Sequence, residues 1–417
     1  MDEYGTEDLP PGGLSGFSSD SFRWPLRKIG DLVDLHYGKA LVEDDRESGA
    51  VPVYGSNGIT GSHSEPLEDG PTVVLGRKGQ GHLGVKWCDG PFWVIDTAYY
   101  TSFDREWINP RYFYYFTDQM GLNHLKVGTS NPSLQRDVFC DQLIPLPPLN
   151  VQRRIAEILG AFDEKIELNR RMNETLEEMA QALYRHWFVD FGPFQDQEFT
   201  DTEELGPIPK EWDVKPAYDL CDVLTGGTPK TKKDEYWGGD IKWVSAKDIS
   251  DTGTFVMDTE RKVTPTGVEE STTDVLPERT VVVVARGSVG KHCIIGENMA
   301  MNQSCYGLRG REEIGQSWTY LMLNNLIRRL QQVAYGSVFD TITISTFKNT
   351  EIVAPPVEII SHFEEKVDPL FDLMHSNVKE NETLAETRDY LLPKLISGEI
   401  EVEAAEEIAD ETAAAQA

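Results

Sequence analysis

The 417-residue sequence is poor in cysteine and contains no long apolar run. Its five cysteines are widely spaced and form no Cys-x-x-Cys pair, which argues against a zinc site and a disulfide framework and favours a reducing cytoplasm. No segment approaches the roughly 18 apolar residues of a membrane-spanning helix, so we expect no contact with a membrane. Residues 1–20 contain acidic residues but no Lys or Arg, which excludes a secretory signal and predicts an acidic, flexible segment.

Positive charge is also scarce. The chain has 39 Lys and Arg against 70 Asp and Glu, a net charge of −31. This excess most simply indicates a solvated, self-repelling surface of the kind that a halophilic cytoplasm requires. It argues against a nonspecific nucleic-acid binder, whose surface would be broadly basic, but it permits a DNA reader whose basic residues are concentrated in one place.

Catalytic motifs are missing. The sequence has no Walker A, no H-E-x-x-H and no F-x-G-x-G, and the string at 131–134 lacks the second proline and the aromatic residue of an adenine methyltransferase motif. Residues 79–84 match G-x-G-x-x-G, but residues 85–90 predict a strand and a turn where a dinucleotide site needs a helix. The sequence therefore predicts no catalytic residue, cofactor-binding residue or metal ligand in this chain.

The chain contains an internal repeat. Asn-Glu-Thr-Leu at 173–176 recurs at 381–384, an offset of 208, whereas residues 73–77 correspond to 282–286 at an offset of 209. Further upstream the offset falls to 188. Because the offset is constant in one part and varies in the other, we predict a duplicated unit that joins a variable globular domain to a helix of fixed length.

Apolar residues at spacings of three and four follow each of two Pro-Pro pairs, at 147–148 and 355–356. We predict helices over 149–190 and 355–398 that pair as an antiparallel coiled coil about a pseudo-two-fold axis, with Pro369 kinking or interrupting the second. The alternative is that each helix lies on its own domain. The predicted pairing residues are Ile155, Leu159, Phe162, Ile166, Leu176 and Leu183 in the first helix, and Phe363, Val367, Leu370, Met374, Leu384 and Leu391 in the second.

The remaining regions carry short β-branched runs, many glycines and aromatic clusters, which favours an α+β domain in each copy. We place these tandem domains at 21–148 and 212–354, with a connector at 191–211. The Glu/Ala-rich segment 399–417 is expected to be an acidic, flexible tail without packing residues.

A cluster of lysines and aromatic residues lies at 228–247 in the second copy. Cations suit phosphates, and aromatic rings pack on sugars or bases, so this pattern favours nucleic-acid binding. The alternative is a solvated loop whose lysines balance Asp234, Glu235 and Asp240. The candidate DNA-binding residues here are Thr228, Lys230, Lys232, Lys233, Trp243 and Lys247.

In both copies a strand is followed by an arginine and a glycine-rich turn. Such a turn can present Arg77 or Arg286, with backbone N–H groups, to phosphates or base edges. A tight hairpin with an incidental arginine explains either copy equally well. The accompanying candidates are Lys39, Tyr54, Ser56, Asn57, Lys78 and Gln80 in the first copy, and Ser288 and Lys291 in the second.

Five further motifs occur over about residues 21 to 402. They are Gly-Gly-Thr-Pro at 226–229 leading to Glu-Tyr-Trp-Gly-Gly-Asp-Ile-Lys-Trp-Val at 235–244, Ile-Pro-Leu-Pro-Pro-Leu at 144–149 with Gln152, Trp-Phe-Val-Asp-Phe at 187–191, Gly-Pro-Ile-Pro-Lys-Glu-Trp at 206–212 and Leu-Leu-Pro-Lys-Leu-Ile-Ser-Gly-Glu-Ile at 391–400. In type and order they resemble the motifs of the specificity subunit of Type I restriction-modification systems. The first copy has Tyr-Gly-Lys-Ala at 37–40 instead of Gly-Gly-Thr-Pro, and the second proline motif lacks the usual Gln.

This resemblance implies a subunit without an active site. Its two target recognition domains would each read half of a split, asymmetric site on double-stranded DNA, and its helices would fix the gap and dock two methyltransferase subunits. Restriction subunits would join the full complex, and S-adenosylmethionine, ATP and Mg would bind on partner subunits. The alternatives are a self-contained DNA methyltransferase or nuclease with divergent motifs, and a coiled-coil scaffold that never touches DNA.

Overall fold

A computed structural model describes residues 22–250, 253–333 and 341–414. The acidic segment predicted at 1–20 lies outside these residues. The chain divides into two compact units: residues up to Ile166 together with those from Thr383 onward form one, and Glu167–Glu382 form the other. No helix in the described ranges is long and apolar enough to cross a membrane.

The globular part of the first unit combines small sheets with two short helices. The elements are β1 (Leu26–Lys28), β2 (Val33–Tyr37), β3 (Val51–Gly55), β4 (Gly58–His63), β5 (Thr72–Gly76), β6 (Val85–Cys88), β7 (Trp93–Val94), β8 (Ala98–Phe103), α1 (Pro110–Met120), β9 (Lys126–Val127), β10 (Ser133–Leu134), α2 (Arg136–Cys140) and β11 (Leu143–Pro145). The largest sheet has the strand order β2-β8-β5-β6, and β4-β3-β7 forms a second one.

Local chemistry explains where α1 begins. The Asn109 side chain accepts hydrogen bonds from the N–H groups of Arg111 and Tyr112, and Pro110 occupies the first helical position. The aromatic cluster at 112–116 therefore falls on a helix, where four of its five rings are buried. As expected from the sequence, the glycine-rich segment 79–84 leads into strand β6 and not into a helix.

The first long helix, α3, spans Leu149–Phe188. The segment predicted as a connector contains β12 (Phe199–Thr202) and β13 (Gly206–Pro209). The second domain follows it as β14 (Asp213–Pro216), α4 (Ala217–Leu220), β15 (Cys221–Thr225), β16 (Trp237–Val244), α5 (Ala246–Ser250), β17 (Phe255–Val256), β18 (Lys262–Val263), α6 (Pro265–Glu269), β19 (Val281–Val284), β20 (His292–Ile295), β21 (Ala300–Met301), β22 (Cys305–Gly310), α7 (Gln316–Val333), α8 (Ile344–Asn349) and β23 (Glu351–Ala354). The chain ends with the second long helix, α9 (Val357–Ser397), and α10 (Val402–Ala414).

The two domains repeat one topology. The order β15-β22-β19-β20 in the second domain matches β2-β8-β5-β6 in the first, and β17 adds one strand at its edge. The antiparallel pair β14–β23 likewise matches β1–β11. All residues of the central strands β5 and β19 are buried, as their uninterrupted apolar or β-branched character requires. The predicted α+β fold class with two tandem domains is confirmed.

The two long helices pack together and run antiparallel within each unit. In the second unit Asn169 contacts Asn381, and Asn173 contacts Asn377, so the partner number falls as the α3 number rises. In the first unit Arg388 on α9 forms an ion pair with Asp163 on α3 at 2.6 Å. The predicted antiparallel packing of two long helices is therefore confirmed.

The predicted pairing residues all lie in the two hydrophobic cores. Ile155, Leu159, Phe162, Ile166, Leu384 and Leu391 are buried in the first unit. Phe363, Val367 and Met374 are buried in the second, with Leu176, Leu183 and Leu370 partly buried against them. Because the same cores contain domain residues such as Tyr112 and Trp318, these positions bind the helices to the domains as well as to each other.

Two expectations differ from the structure. Pro369 does not interrupt α9, whose residues on either side of it, Val367 and Phe371, are buried in the core. The expectation of a tail without packing residues is wrong, since α10 buries Val402 and Ala405. The spacing of three puts both on one helix face, and Arg154 also forms an ion pair with Glu406 at 2.7 Å.

Candidate nucleic-acid interface

The lysine-rich segment of the second domain connects β15 to β16 and is tied to two tryptophans. The Trp243 indole donates to the carbonyl oxygen of Gly227 at 3.0 Å, and the Trp237 indole donates to that of Lys230 at 3.4 Å. Trp243 is only 5% exposed, so this segment is anchored on a buried ring. Thr228, next to the anchored glycine, is half-buried.

The five lysines of this region differ in their partners. Three form ion pairs: Lys233 with Glu235 at 3.2 Å, Lys242 with Glu297 at 2.8 Å and Lys247 with Glu260 at 2.7 Å. A hydrogen bond to the Tyr236 hydroxyl and the pair with Glu235 raise the pKa of Lys233. Lys230 and Lys232 are exposed, and neither forms an ion pair within the described part of the chain. These two remain available for phosphates.

The structure places one further cation, Arg261, beside these tryptophans, and the sequence analysis did not identify it. The guanidinium carbon of Arg261 lies 3.4 Å from the centre of the Trp237 ring. Trp237 in turn meets Trp243 edge to face, with centroids 5.1 Å apart at 90°. Arg261 immediately precedes β18, which pairs antiparallel with β16, and only this pairing brings it beside residues 237 and 243. No local sequence signal points to it.

The second glycine-rich turn is a tight hairpin between β19 and β20. The Gly290 N–H donates to the Val284 carbonyl oxygen at 3.0 Å, and the Lys291 ammonium donates to that of Ser250 at 3.1 Å. Arg286 and Ser288 are exposed at its tip. Among the described residues no hydrogen bond or ion pair engages the Arg286 side chain, and none joins this turn to residues 228–233. The predicted tight hairpin is therefore present, and its Arg286 guanidinium can still donate hydrogen bonds to an external acceptor.

The corresponding turn of the first domain, at 77–80, makes more side-chain contacts with the rest of its domain. The Arg77 guanidinium lies over the Tyr37 ring at 4.7 Å and donates to the Asp96 carbonyl oxygen at 3.0 Å. Lys78 forms an ion pair with the Asp96 carboxylate at 2.9 Å. The exposed Gln80 donates to the Ser130 carbonyl oxygen at 2.9 Å. These contacts hold the turn in one conformation.

The other first-domain candidates differ in their exposure and in their contacts. The Ser56 hydroxyl donates to the Lys78 carbonyl oxygen at 2.6 Å, which brings the β3–β4 turn, including the exposed Asn57, beside the arginine turn. Lys39 is exposed and lies over the Trp93 ring at 5.6 Å. Tyr54 is 6% exposed and burial raises its pKa, so it is a framework residue and not a surface contact.

Nothing in the described ranges resembles a metal centre. Residues 22–250, 253–333 and 341–414 hold no group of three His, Cys, Asp or Glu side chains placed to bind an ion. All five cysteines are unbridged, and burial raises the pKa of the Cys221 and Cys305 thiols to about 12.

Comparisons with known proteins agree with the duplicated architecture. The family described as "Type I restriction modification DNA specificity domain" matches residues 23–178 and again 209–383. The chain is 27% identical over 317 residues to the Type I restriction enzyme MjaIX specificity subunit of Methanocaldococcus jannaschii, across 72% of this chain and 71% of that protein. It is 26% identical over 328 residues to the HindI specificity subunit of Haemophilus influenzae, across 64% and 71%.

The fold is similar to a solved structure. The crystal structure of the Type-I restriction-modification system S subunit from M. genitalium superposes with a TM-score of 0.58 at 16% identity, across 90% of this chain and 96% of that one.

Proposed function

This chain belongs to the family of Type I restriction modification DNA specificity domains, and we propose that it reads a bipartite, asymmetric DNA target for a Type I restriction-modification complex. The observation that carries the proposal is the double match: the family model covers both copies of the repeat, and both copies share one sheet order. Two similar but non-identical readers in one chain suit a target with two different halves.

We propose that the chain has no catalytic role. Two methyltransferase subunits would dock on it and modify adenine N6, and restriction subunits would complete the complex in the cytoplasm. S-adenosylmethionine, ATP and Mg would bind on those partners. The residues at 79–84 support this assignment, because the strand that follows them offers no helix N-terminus to a nucleotide phosphate.

The exposed cations favour phosphate contacts by the second domain. Lys230, Lys232 and Arg286 have no acidic partner in the described ranges, in a chain where most neighbouring lysines are paired. Phosphate contacts position a protein on DNA, and contacts to base edges add the sequence preference. We assign base reading in the first domain to the exposed Asn57 and Gln80.

Methylome sequencing tests this function. Cells that express the chain with its methyltransferase subunit should carry N6-methyladenine in one split motif, and deletion of this chain should abolish it. Exchange of residues 21–148 for another first domain should change one half of that motif only. An unchanged methylome, or a gel shift showing that the assembled complex does not bind DNA, would favour a scaffold instead. Methyl transfer by the isolated chain would make it an enzyme.

A further inference from the structure

We propose that Arg261 reads a guanine in the half-site bound by the second domain, with Trp237 holding its guanidinium in place. This inference rests on the proposed DNA-reading function and names a residue and a base for it. The guanidinium carbon lies 3.4 Å from the Trp237 ring centre, and the Arg261 side chain is exposed. The guanidinium carbon also lies 5.7 Å from the Trp243 ring centre, so both tryptophans are within cation–π distance of it.

The donors of Arg261 are uncommitted. Within residues 22–250, 253–333 and 341–414 its side chain forms no ion pair or hydrogen bond. Two other arginines of this unit are neutralised: Arg311 by Asp222 at 2.8 Å and Arg279 by Asp372. In a chain with 70 acidic residues, an exposed arginine without an acidic partner is available for an external acceptor.

The surrounding structure fixes Arg261 before any ligand binds. Its carbonyl oxygen accepts from the Trp243 N–H at 3.0 Å and from the Thr259 hydroxyl at 2.7 Å. The Trp237 ring is supported by Trp243, whose indole is anchored on Gly227. A bulge in β16, where Gly238 adopts a φ of +76°, lies beside Trp237. Ordering of a long side chain normally opposes binding, and the contact with the Trp237 ring reduces that cost for Arg261.

Guanine is the base that this arrangement suits. A planar guanidinium donates two parallel hydrogen bonds to guanine O6 and N7 in the major groove, and no other base offers two acceptors there. A guanidinium can also bind a phosphate, but the exposed Lys230 and Lys232 nearby already offer positive charge to the phosphates. An arginine that lies against a ring beside these two lysines therefore fits base reading better than charge neutralisation.

The test uses the assembled complex with its methyltransferase subunits. Its binding to a DNA set that varies each target position is compared for the wild type, R261A, R261K and W237A. The wild type should bind a G·C pair in one half-site, and R261A and R261K should lose about ten-fold or more of the discrimination at that pair alone. R261K keeps the charge, so its failure isolates the bidentate contact. W237A should lose part of the same discrimination.

R311A is the matched control, because Arg311 also lies over a ring, Tyr218 at 5.3 Å, but its donors are held by Asp222. It should leave all preferences unchanged. Uniform weakening by R261A across all sequences, an unaltered preference, or a half-site without a G·C pair would overturn the proposal. If the wild-type complex binds no specific DNA, the proposed function fails instead. Thermal unfolding checks each variant, and R261K decides the matter if R261A does not fold.

Discussion

Asn169 and Asn377 occupy equivalent positions of the repeat and make equivalent hydrogen bonds across the helix pair. The Asn169 amide donates to Asn381 at 3.0 Å, and the Asn377 amide donates to Asn173 at 2.8 Å. The offset of 208 that converts 169 to 377 also converts 173 to 381. The internal repeat therefore places the same asparagine–asparagine hydrogen bond at two positions of the helix pair. Asn169 is fully buried and Asn377 is 5% exposed, so this polar layer lies inside an apolar seam.

The first prediction concerns this layer. N169L should destabilise the protein by about 1–3 kcal/mol, because the Asn381 side-chain oxygen and the Glu380 carboxylate both lose the hydrogen bond that the Asn169 amide donates. N169L/N381L should cost less than the sum of the two single variants, since either single change already removes the hydrogen bond between Asn169 and Asn381. Denaturant unfolding measures both effects. L168A is the control, because Leu168 is 49% exposed and its loss should have little effect. Strict additivity would show that the two asparagines are not coupled.

The second prediction follows from the equivalence itself. A fragment ending near residue 206 retains one domain and α3 but exposes the stripe from Ile155 to Leu183. It should form a homodimer in which Asn169 of one copy meets Asn173 of the other, as two-fold symmetry requires. With methyltransferase subunits it should modify a palindromic split site. A stable monomer by light scattering at micromolar concentration, or an asymmetric target, would contradict the pairing.

The third prediction concerns Glu364, whose carboxylate accepts from the Trp318 N–H at 3.1 Å. Burial raises the pKa of Glu364 from 4.5 to about 7. The folded state therefore binds the proton more tightly than the unfolded state, so this group's contribution to stability is lost as the pH rises from about 4.5 through about 7. The loss should amount to about 2 kcal/mol after allowance for solvent screening.

E364Q cannot titrate and should remove this slope. Unfolding free energies measured between about pH 5 and about pH 8 should fall less steeply for E364Q than for the wild type. E358Q provides the control, since Glu358 on the same helix is exposed and forms no ion pair in the described part of the chain. Parallel curves for the wild type and E364Q would show that the Glu364 carboxyl titrates normally.

The fourth prediction separates paired from unpaired lysines. K230A/K232A should weaken DNA binding by the assembled complex and flatten its salt dependence by about one unit of slope per lost phosphate contact. K233A/K247A removes the same charge from residues that already pair with Glu235 and Glu260, and it should change the slope little. Equal slopes for both double variants and the wild type would mean that Lys230 and Lys232 are merely solvated.

The duplication, the α+β class and the two long helices could be predicted from the amino-acid sequence alone. The strand at 281–284 and the helices after each Pro-Pro pair depend on short-range periodicity, and periodicity is visible in one dimension. The same reasoning failed at α10, because a Glu/Ala-rich segment has few apolar residues. Val402 and Ala405 are buried because α10 packs against the core of the first unit, and the local sequence does not show that packing.

Which cations lack an acidic partner depends on the three-dimensional fold. Five lysines within twenty residues looked alike in the sequence, yet the carboxylates that neutralise Lys242 and Lys247 lie at Glu297 and Glu260, outside that segment. The sequence analysis placed Tyr54 among the candidate DNA contacts, but the structure buries it in the sheet that contains β3. Arg261 carried no signal at all, since strand pairing brings it onto Trp237. A side chain's partner is set by the fold, and charge and stacking depend on distance in space rather than on distance along the chain.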